Sequence, residues 1–238
     1  MTTEHSTDGP GTDGWTAAVR QRLGLGRLLP LGEAADGAWL SEQAAVGALR
    51  RAAARVPGVA LGTVRLSLAE PDAPGEPAVP PPPSALPPGP LRIDGEFAAA
   101  AGEPLLPLAD RLREALSGCA VDRLGLLVTQ TDLRVTALLD LTGESPAPAG
   151  PVEVPLAPPD SGPAQVVAAV PGVAHLTRAL GPGVVLTPGH VRVELATAAG
   201  HRPLDVALAV RAAVTAALPG APSVAVLVSA MEAAPDAP

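Results

Sequence analysis

One short turn sequence occurs twice in this chain, and the same order of predicted elements follows it each time. Residues 55–60 read RVPGVA and residues 169–174 read AVPGVA. At both places a helix should end before the proline, because the residue that precedes proline avoids the α region. Pro-Gly then suits the central positions of a type II turn, where glycine takes the positive φ. The repeat predicts two tandem units with the order helix, strand, strand, helix, strand.

The first predicted unit, residues 39–142, contains the clearest alternation. Residues 91–97 read LRIDGEF, which predicts a strand with one buried, apolar face. A shorter alternation at 64–68 predicts the strand before it, and residues 124–128 predict a buried strand at the end of the unit. The helix that starts at Pro104 should bury the leucines on one of its sides. These are Leu105, Leu108, Leu112 and Leu116.

A proline-rich stretch at 71–90, PDAPGEPAVPPPPSALPPGP, separates the two middle strands of this unit. Proline lacks a backbone N–H and fixes φ, so the stretch predicts a polyproline-II-like loop and excludes helix and sheet. Two interpretations follow. The loop either docks into a proline-reading groove of a partner or serves as a stiff surface loop.

The second predicted unit, residues 163–232, follows a Pro-, Gly- and Ser-rich linker at 143–162. Residues 191–195, VRVEL, alternate like the strand at 91–97, and a valine-rich strand is predicted at 224–228. The helix between these strands should bury Val206, Val210, Val214 and Ala217. Each unit should form a small sheet with helices on one face, so the predicted fold class is α+β.

The two ends of the chain are predicted to be less regular. Residues 1–14 and 233–238 indicate disordered tails. Residues 15–38 form an amphipathic N-terminal segment, predicted as a short helix followed by a turn. The helix begins at Trp15, is broken by Gly24 and Gly26, and is ended by Pro30. The arginines of this segment, Arg20, Arg22 and Arg27, contact either an anionic surface or solvent.

Composition limits the classes of function. The net charge is −8, and there are only one Phe, two Trp and no Tyr, so nucleic-acid binding is disfavoured. Cys119 is the one cysteine, which excludes an internal disulfide and predicts a small buried side chain. The N-terminus is polar and acidic, unlike a signal peptide, and no apolar run has the length of a membrane span. We expect a cytoplasmic protein whose membrane contact, if any, is peripheral or made through a partner.

Few residues suggest chemistry. His190 and Glu194 could lie on the same face of one strand, and His201 is close to them in sequence. These three residues are weak candidates for the ligands of a metal site. Asp94 and Glu96 project from one strand face as a possible carboxylate pair, but the solvated face of a strand explains them as well. There is no nucleophile elbow, phosphate loop or dinucleotide fingerprint. We therefore assign no catalytic, cofactor-binding or metal-binding residue and expect no cofactor.

Two stretches resemble the alkaline shock protein family. WLSEQAAVGALRRAAARVPGV, residues 39–59, is similar to the opening of that family, and VRVELATAAGHRPLDVALAVRAAVTAALPGAPSVAVLVSAME, residues 191–232, is similar to its second half. The chain departs from that family in two ways: its domain is predicted to be duplicated, and the first copy has the proline-rich insertion at 71–90. Similar actinobacterial proteins share a family name with a nucleopolyhedrovirus protein. The resemblance implies a non-enzymatic role in envelope stress response, with self-association or attachment to a small membrane anchor protein.

Two hypotheses about function remain at this stage. The first is a non-catalytic interaction or scaffold protein that associates with itself, a related protein or another partner through sheet edges or helix faces. The second is a small-molecule-binding protein or enzyme with a cleft between the two units.

Overall fold

The computed structural model describes residues 24–139 and 154–233. In these residues the fold is mixed α+β, with four α-helices and ten strands in two sheets. Several predictions concern residues outside the described ones. These are the tail at 1–14, the predicted helix from Trp15 as far as residue 23, residues 140–153 at the end of the first unit and in the linker, and the tail from residue 234.

The elements follow one another in this order: β1 (Leu28–Leu31), a 3-10 helix (Ala34–Asp36), β2 (Ala38–Ser41), α1 (Glu42–Ala53), β3 (Val59–Leu68), β4 (Leu91–Ala100), α2 (Leu105–Gly118), a π-helical turn (Cys119–Leu124), β5 (Val128–Leu139), β6 (Leu156–Ala157), α3 (Gly162–Ala168), β7 (Val173–Thr177), β8 (Val184–Thr187), β9 (His190–Thr197), α4 (Pro203–Ala217) and β10 (Ser223–Met231).

The smaller sheet has three strands in the order β3-β4-β5. β3 runs antiparallel to β4, and β5 runs parallel to β4 after the crossover through α2. The alternation predicted for β4 is confirmed, because Leu91, Ile93 and Phe97 are fully buried while the intervening residues are half-buried. The leucine stripe of α2 is confirmed for Leu108, Leu112 and Leu116, which are also fully buried.

The larger sheet has seven strands in the order β1-β2-β10-β9-β7-β6, with β8 paired to β9 beside β7. β10 is parallel to both of its neighbours, β2 and β9. The hairpin β1-β2 therefore extends a sheet whose other strands all come from residues 156–231.

The strands around β4 and around β9 have the same directions. Each has antiparallel strand pairing on one side and a parallel strand, reached through a helix, on the other. The turn glycines Gly58 and Gly172 have φ values of 78° and 88°. Their carbonyl oxygens accept 2.8 Å hydrogen bonds from the N–H groups of Ala100 and Ala198, respectively. A duplicated unit would have these shared features, and the duplication itself stays a prediction.

One continuous apolar core lies between the two sheets and contains the buried faces of the helices. Phe97 of β4, Leu112 of α2, Val210 of α4 and Val226 of β10 all belong to it. The two predicted units therefore share a core.

The larger sheet is covered on its other face as well, by segments that include the proline-rich loop and the connection between β7 and β8. Leu28, Trp39 and Leu227 of the sheet form a second apolar cluster with Val79 of the proline-rich loop and Ala179 of the connection between β7 and β8. Polar residues of β9 that alternation places outward are consequently inside the protein.

Several local predictions were wrong. The segment around Pro30, predicted to end a helix, is the extended strand β1, and proline is tolerated there because β1 is an edge strand. Leu124 ends the π-helical turn, so the strand predicted to start there begins at Val128. The predicted boundary between residues 38 and 39 falls inside β2. Leu105 and Ala217, predicted to be buried in their helices, are exposed at the helix ends.

Candidate functional site

β5 is an edge strand with exposed side chains along much of its length. Among the strands of the described residues it pairs with β4 alone. Its register places Val135 opposite Phe97 and Leu138 opposite Ala99, and both β4 residues are fully buried on the inner face. Val135 and Leu138 are nevertheless 37% and 64% exposed. Apolar surface therefore lies directly beside an open strand edge.

The backbone of β5 presents alternate residues to this open edge. The carbonyl oxygen of Thr131 accepts a 3.3 Å hydrogen bond from Nε of Arg113, a side chain on α2. Because N–H and C=O groups alternate in direction along a strand, those of Leu133 and Val135 also point away from β4. We refer to residues 131–138 as the β5 edge.

The opposite edge of the same sheet, on β3, is covered by an ion pair. Arg27 Nη2 lies 3.0 Å from Glu42 Oε1. The N–H of Leu66 donates to Glu42 Oε1 at 3.4 Å, and the carbonyl of Leu66 accepts from Arg27. Burial acts to raise the pKa of Glu42, but the hydrogen bonds and charge of Arg27, together with the Leu66 amide, lower the pKa below its usual range. Arg27 thus has an internal partner, whereas Arg20 and Arg22 lie outside the described residues.

The edges of the larger sheet offer less room for a new strand. The N–H of Leu86, in the proline-rich loop, donates to the carbonyl of Leu28 on β1 at 2.8 Å. The carbonyl of Leu86 accepts from Trp39 Nε1 at 3.3 Å. The loop is bound to the protein itself at these points. At the other side of the sheet, β6 has two residues and β8 has four, compared with twelve in β5.

Charges of both signs are paired on the outer face of the three-stranded sheet. Arg92 lies 3.1 Å from Asp94 and 3.8 Å from Asp132, and Arg134 contacts Glu96. The hydrogen bond and charge of Arg134 lower the pKa of Glu96. A general acid that works near neutral pH needs the opposite shift. The arrangement is that of a solvated strand face rather than of a catalytic carboxylate pair.

A shallow depression of about 340 Å³ lies on this outer face. Residues of β3, β4 and β5 line it, among them Arg65, Asp94 and Arg134. It lies on the solvent side of the small sheet, and all of its lining residues belong to the first predicted unit, whereas the second hypothesis placed a cleft between the two units.

The residues considered as metal ligands are not brought together. His190 Nδ1 lies 2.8 Å from Ser223 Oγ, Glu194 is fully buried, and His201 is exposed. Across residues 24–139 and 154–233, no group of three or more His, Cys, Asp or Glu side chains could hold a metal ion. Cys119 is buried, and that burial raises the pKa of its thiol, which disfavours the reactive thiolate.

Glu194 holds a buried polar cluster in place. Its carboxylate accepts hydrogen bonds from the N–H groups of Ala179 at 2.5 Å and Leu180 at 2.9 Å, and from the Thr177 hydroxyl at 3.0 Å. The Thr177 hydroxyl also lies 2.6 Å from Ser229 Oγ. Burial raises the pKa of Glu194, although the hydrogen bonds act to lower it. The cluster fastens the connection between β7 and β8 to β9, which is a structural role.

No family model, curated protein or solved structure matched this chain. The resemblance to the alkaline shock proteins therefore depends on the quoted residues alone and stays a prediction. Within the part of the chain that the structure describes, none of the helices combines the length and the apolar character that crossing a bilayer requires. The β5 edge is the strongest candidate site, and the sequence analysis did not identify it.

Proposed function

We propose that this chain is a non-catalytic interaction protein that binds protein partners through the β5 edge. One observation carries the proposal: the longest edge strand of the described residues has exposed Val135 and Leu138 beside backbone groups with which no other described strand pairs. The edges of β3 and β1, by contrast, are occupied by side chains or by the proline-rich loop. Proteins ordinarily protect long strand edges, because an open edge is a template for pairing with another chain.

Binding at such an edge follows from elementary strand pairing. The outward N–H and C=O groups of Thr131, Leu133 and Val135 supply main-chain hydrogen bonds to an added strand, and side chains on alternate positions supply selectivity. Burial of Val135 and Leu138 adds about 25 cal/mol for each Å² of apolar surface removed from water. No reactive group is needed for this activity.

The resemblance to alkaline shock proteins suggests where such an activity would be used. We place the protein in envelope stress response, in the cytoplasm, with itself, a related protein or a small membrane anchor protein as its partner. Attachment to the membrane would then be peripheral and made through that partner.

A site-specific photo-crosslinker tests the proposed interaction. Val135 and Leu208 are a matched pair, because both are 37% exposed but only Val135 lies on the β5 edge, whereas Leu208 lies on α4. With the crosslinker in place of Val135, irradiation of cells of the source organism should yield defined protein adducts. The same crosslinker in place of Leu208 should yield few. Equal yields at the two positions, or none at Val135, would rule out the β5 edge as the binding site.

The second candidate is small-molecule binding, which the depression near Arg65 and Arg134 favours. A ligand there must compete with Glu96 for Arg134, so an anionic compound is the class to test. Thermal-shift screening with metabolites and metal ions should give concentration-dependent stabilisation if this candidate is right. Arg134→Gln should then abolish the shift, and a flat response in wild-type protein would exclude the candidate.

A further inference from the structure

We propose that the partner of the β5 edge is a second copy of this chain, joined by antiparallel pairing of the two β5 strands around a two-fold axis at Leu133. This inference rests on the function proposed above and specifies its partner. The joined sheet would have the order β3-β4-β5-β5-β4-β3, and the helices α2 of both copies would lie on the same side of it.

Backbone direction restricts the possible registers. An antiparallel hydrogen-bonded pair forms only where outward-pointing residues of both strands stand opposite each other. Thr131, Leu133 and Val135 are the outward-pointing residues at the centre of β5. Three adjacent registers satisfy this requirement, with the two-fold axis at residue 132, 133 or 134.

The charges of β5 select one register from these three. With the axis at Asp132 or at Arg134, that side chain faces its own copy, and like charges directly opposite are destabilising. With the axis at Leu133, each Asp132 stands opposite an Arg134 of the second copy on the outer face. The strand is therefore complementary to itself in this register alone.

The same register also satisfies the inner face. Leu133 stands opposite Leu133 of the second copy, and each Val135 stands opposite a Thr131. Val135, which is 37% exposed in the single chain, is thereby covered. The one contact that must be given up is the hydrogen bond from Arg113 to the Thr131 carbonyl, and Arg113 keeps its ion pair with Asp110 on α2 at 2.5 Å.

Charge exchange gives the decisive test, with sedimentation velocity over a concentration series as the readout. Wild-type protein should dimerise. Asp132→Arg and Arg134→Asp each place like charges opposite, so each should raise the dimer dissociation constant about tenfold or more. The double variant, Asp132→Arg with Arg134→Asp, restores opposite charges in the Leu133 register and should dimerise like wild type. An equimolar mixture of the two single variants should form a heterodimer.

Cysteine pairing tests the register directly in a Cys119→Ala background. Residues of an antiparallel hydrogen-bonded pair have Cα atoms about 5.5 Å apart, which is within the range that a disulfide spans. Leu133→Cys should form a disulfide-linked dimer under mild oxidation, and Ala137→Cys, which is away from the axis, should not. Circular dichroism of every variant checks that it is folded.

Three outcomes would overturn the inference. They are a wild-type chain that stays monomeric at all accessible concentrations, a dimer that the single charge reversals leave unchanged, or a double variant as weak as the single variants. Crosslinks from Val135 to a different protein would, in any of these cases, leave the proposed interaction function standing. Loss of those crosslinks as well would remove both.

Discussion

Removal of the Glu194 carboxylate should be among the most damaging single changes in the protein. The side chain is fully buried and accepts hydrogen bonds from Ala179, Leu180 and Thr177. Glu194→Ala leaves three donors without their acceptor in the interior. A buried donor without a partner costs about 1–3 kcal/mol. Allowing for entry of water into the space left by the side chain, we expect a loss of about 3–5 kcal/mol, which is a large fraction of a typical free energy of unfolding.

Glu194 also makes a signed prediction about pH. Because burial raises its pKa in the folded protein, the folded state holds the proton more tightly than the unfolded state does. The stability linked to this proton is complete below the usual glutamate value of 4.5 and is lost as the pH rises through the higher folded pKa. Glu194→Gln removes this dependence. It should also cost about 1–3 kcal/mol, because the amide NH₂ meets a backbone N–H where the carboxylate accepted one.

Chemical denaturation at several pH values, followed by circular dichroism and tryptophan fluorescence, measures both effects. Glu114→Ala, an exposed glutamate on α2, is the control and should change stability by less than about 0.5 kcal/mol. The reasoning is refuted if Glu194→Ala stays within about 1 kcal/mol of wild type. It is also refuted if the difference between wild type and Glu194→Gln is independent of pH.

Three further changes test other parts of the fold. Val226→Asp puts a charge at a fully buried position of β10 and should cost more than about 4 kcal/mol, so unchanged circular dichroism and Tm would contradict the packing. Gly172→Ala should lower Tm more than Gly200→Ala. Both glycines have positive φ, but only a Cβ at Gly172 would clash with a neighbour, the Val206 side chain at 2.7 Å. Equal losses of Tm would show that backbone strain, and not this clash, causes the destabilisation. Glu42→Gln should reduce the loss of stability that wild-type protein shows on acidification. The stability linked to the lowered pKa of Glu42 is present above about pH 4.5 and disappears as the pH falls through the folded pKa. Parallel curves of stability against pH for the two proteins would contradict this prediction.

The fold was predictable from sequence where neighbours along the chain decide burial. The alternation of β4 and the leucine stripe of α2 each report one covered face, and the structure has both. Glu194 shows where this reasoning fails. The face of the larger sheet that carries it is covered by Val79 of the proline-rich loop and Ala179 of the connection between β7 and β8, and the alternation of β9 contains no sign of either. Alternation alone therefore predicted solvent.

The candidate site was not predictable for a related physical reason. The alternation at Leu133 and Val135 indicates a strand, but a strand pattern does not show how many neighbours that strand has. Whether β5 is an edge depends on where the chain goes after Leu139 and on the path of every other strand. The opposite charges of Asp132 and Arg134 indicate a register for pairing with another strand only when β5 is known to be an edge strand.

The place of β2 in the larger sheet has a consequence for synthesis of the chain. β2 pairs with β10, so residues near Trp39 leave the ribosome long before their parallel neighbour near Leu227 exists. During translation the hairpin β1-β2 has an unpaired side, and the sheet is completed only after the residues of β10 have been made. Long-range pairing of this kind slows folding and leaves strand edges open to other nascent chains. A ribosome stalled before β10 would therefore hold an aggregation-prone intermediate. A chaperone bound near Trp39 would cover the unpaired edge of β2 and prevent its aggregation.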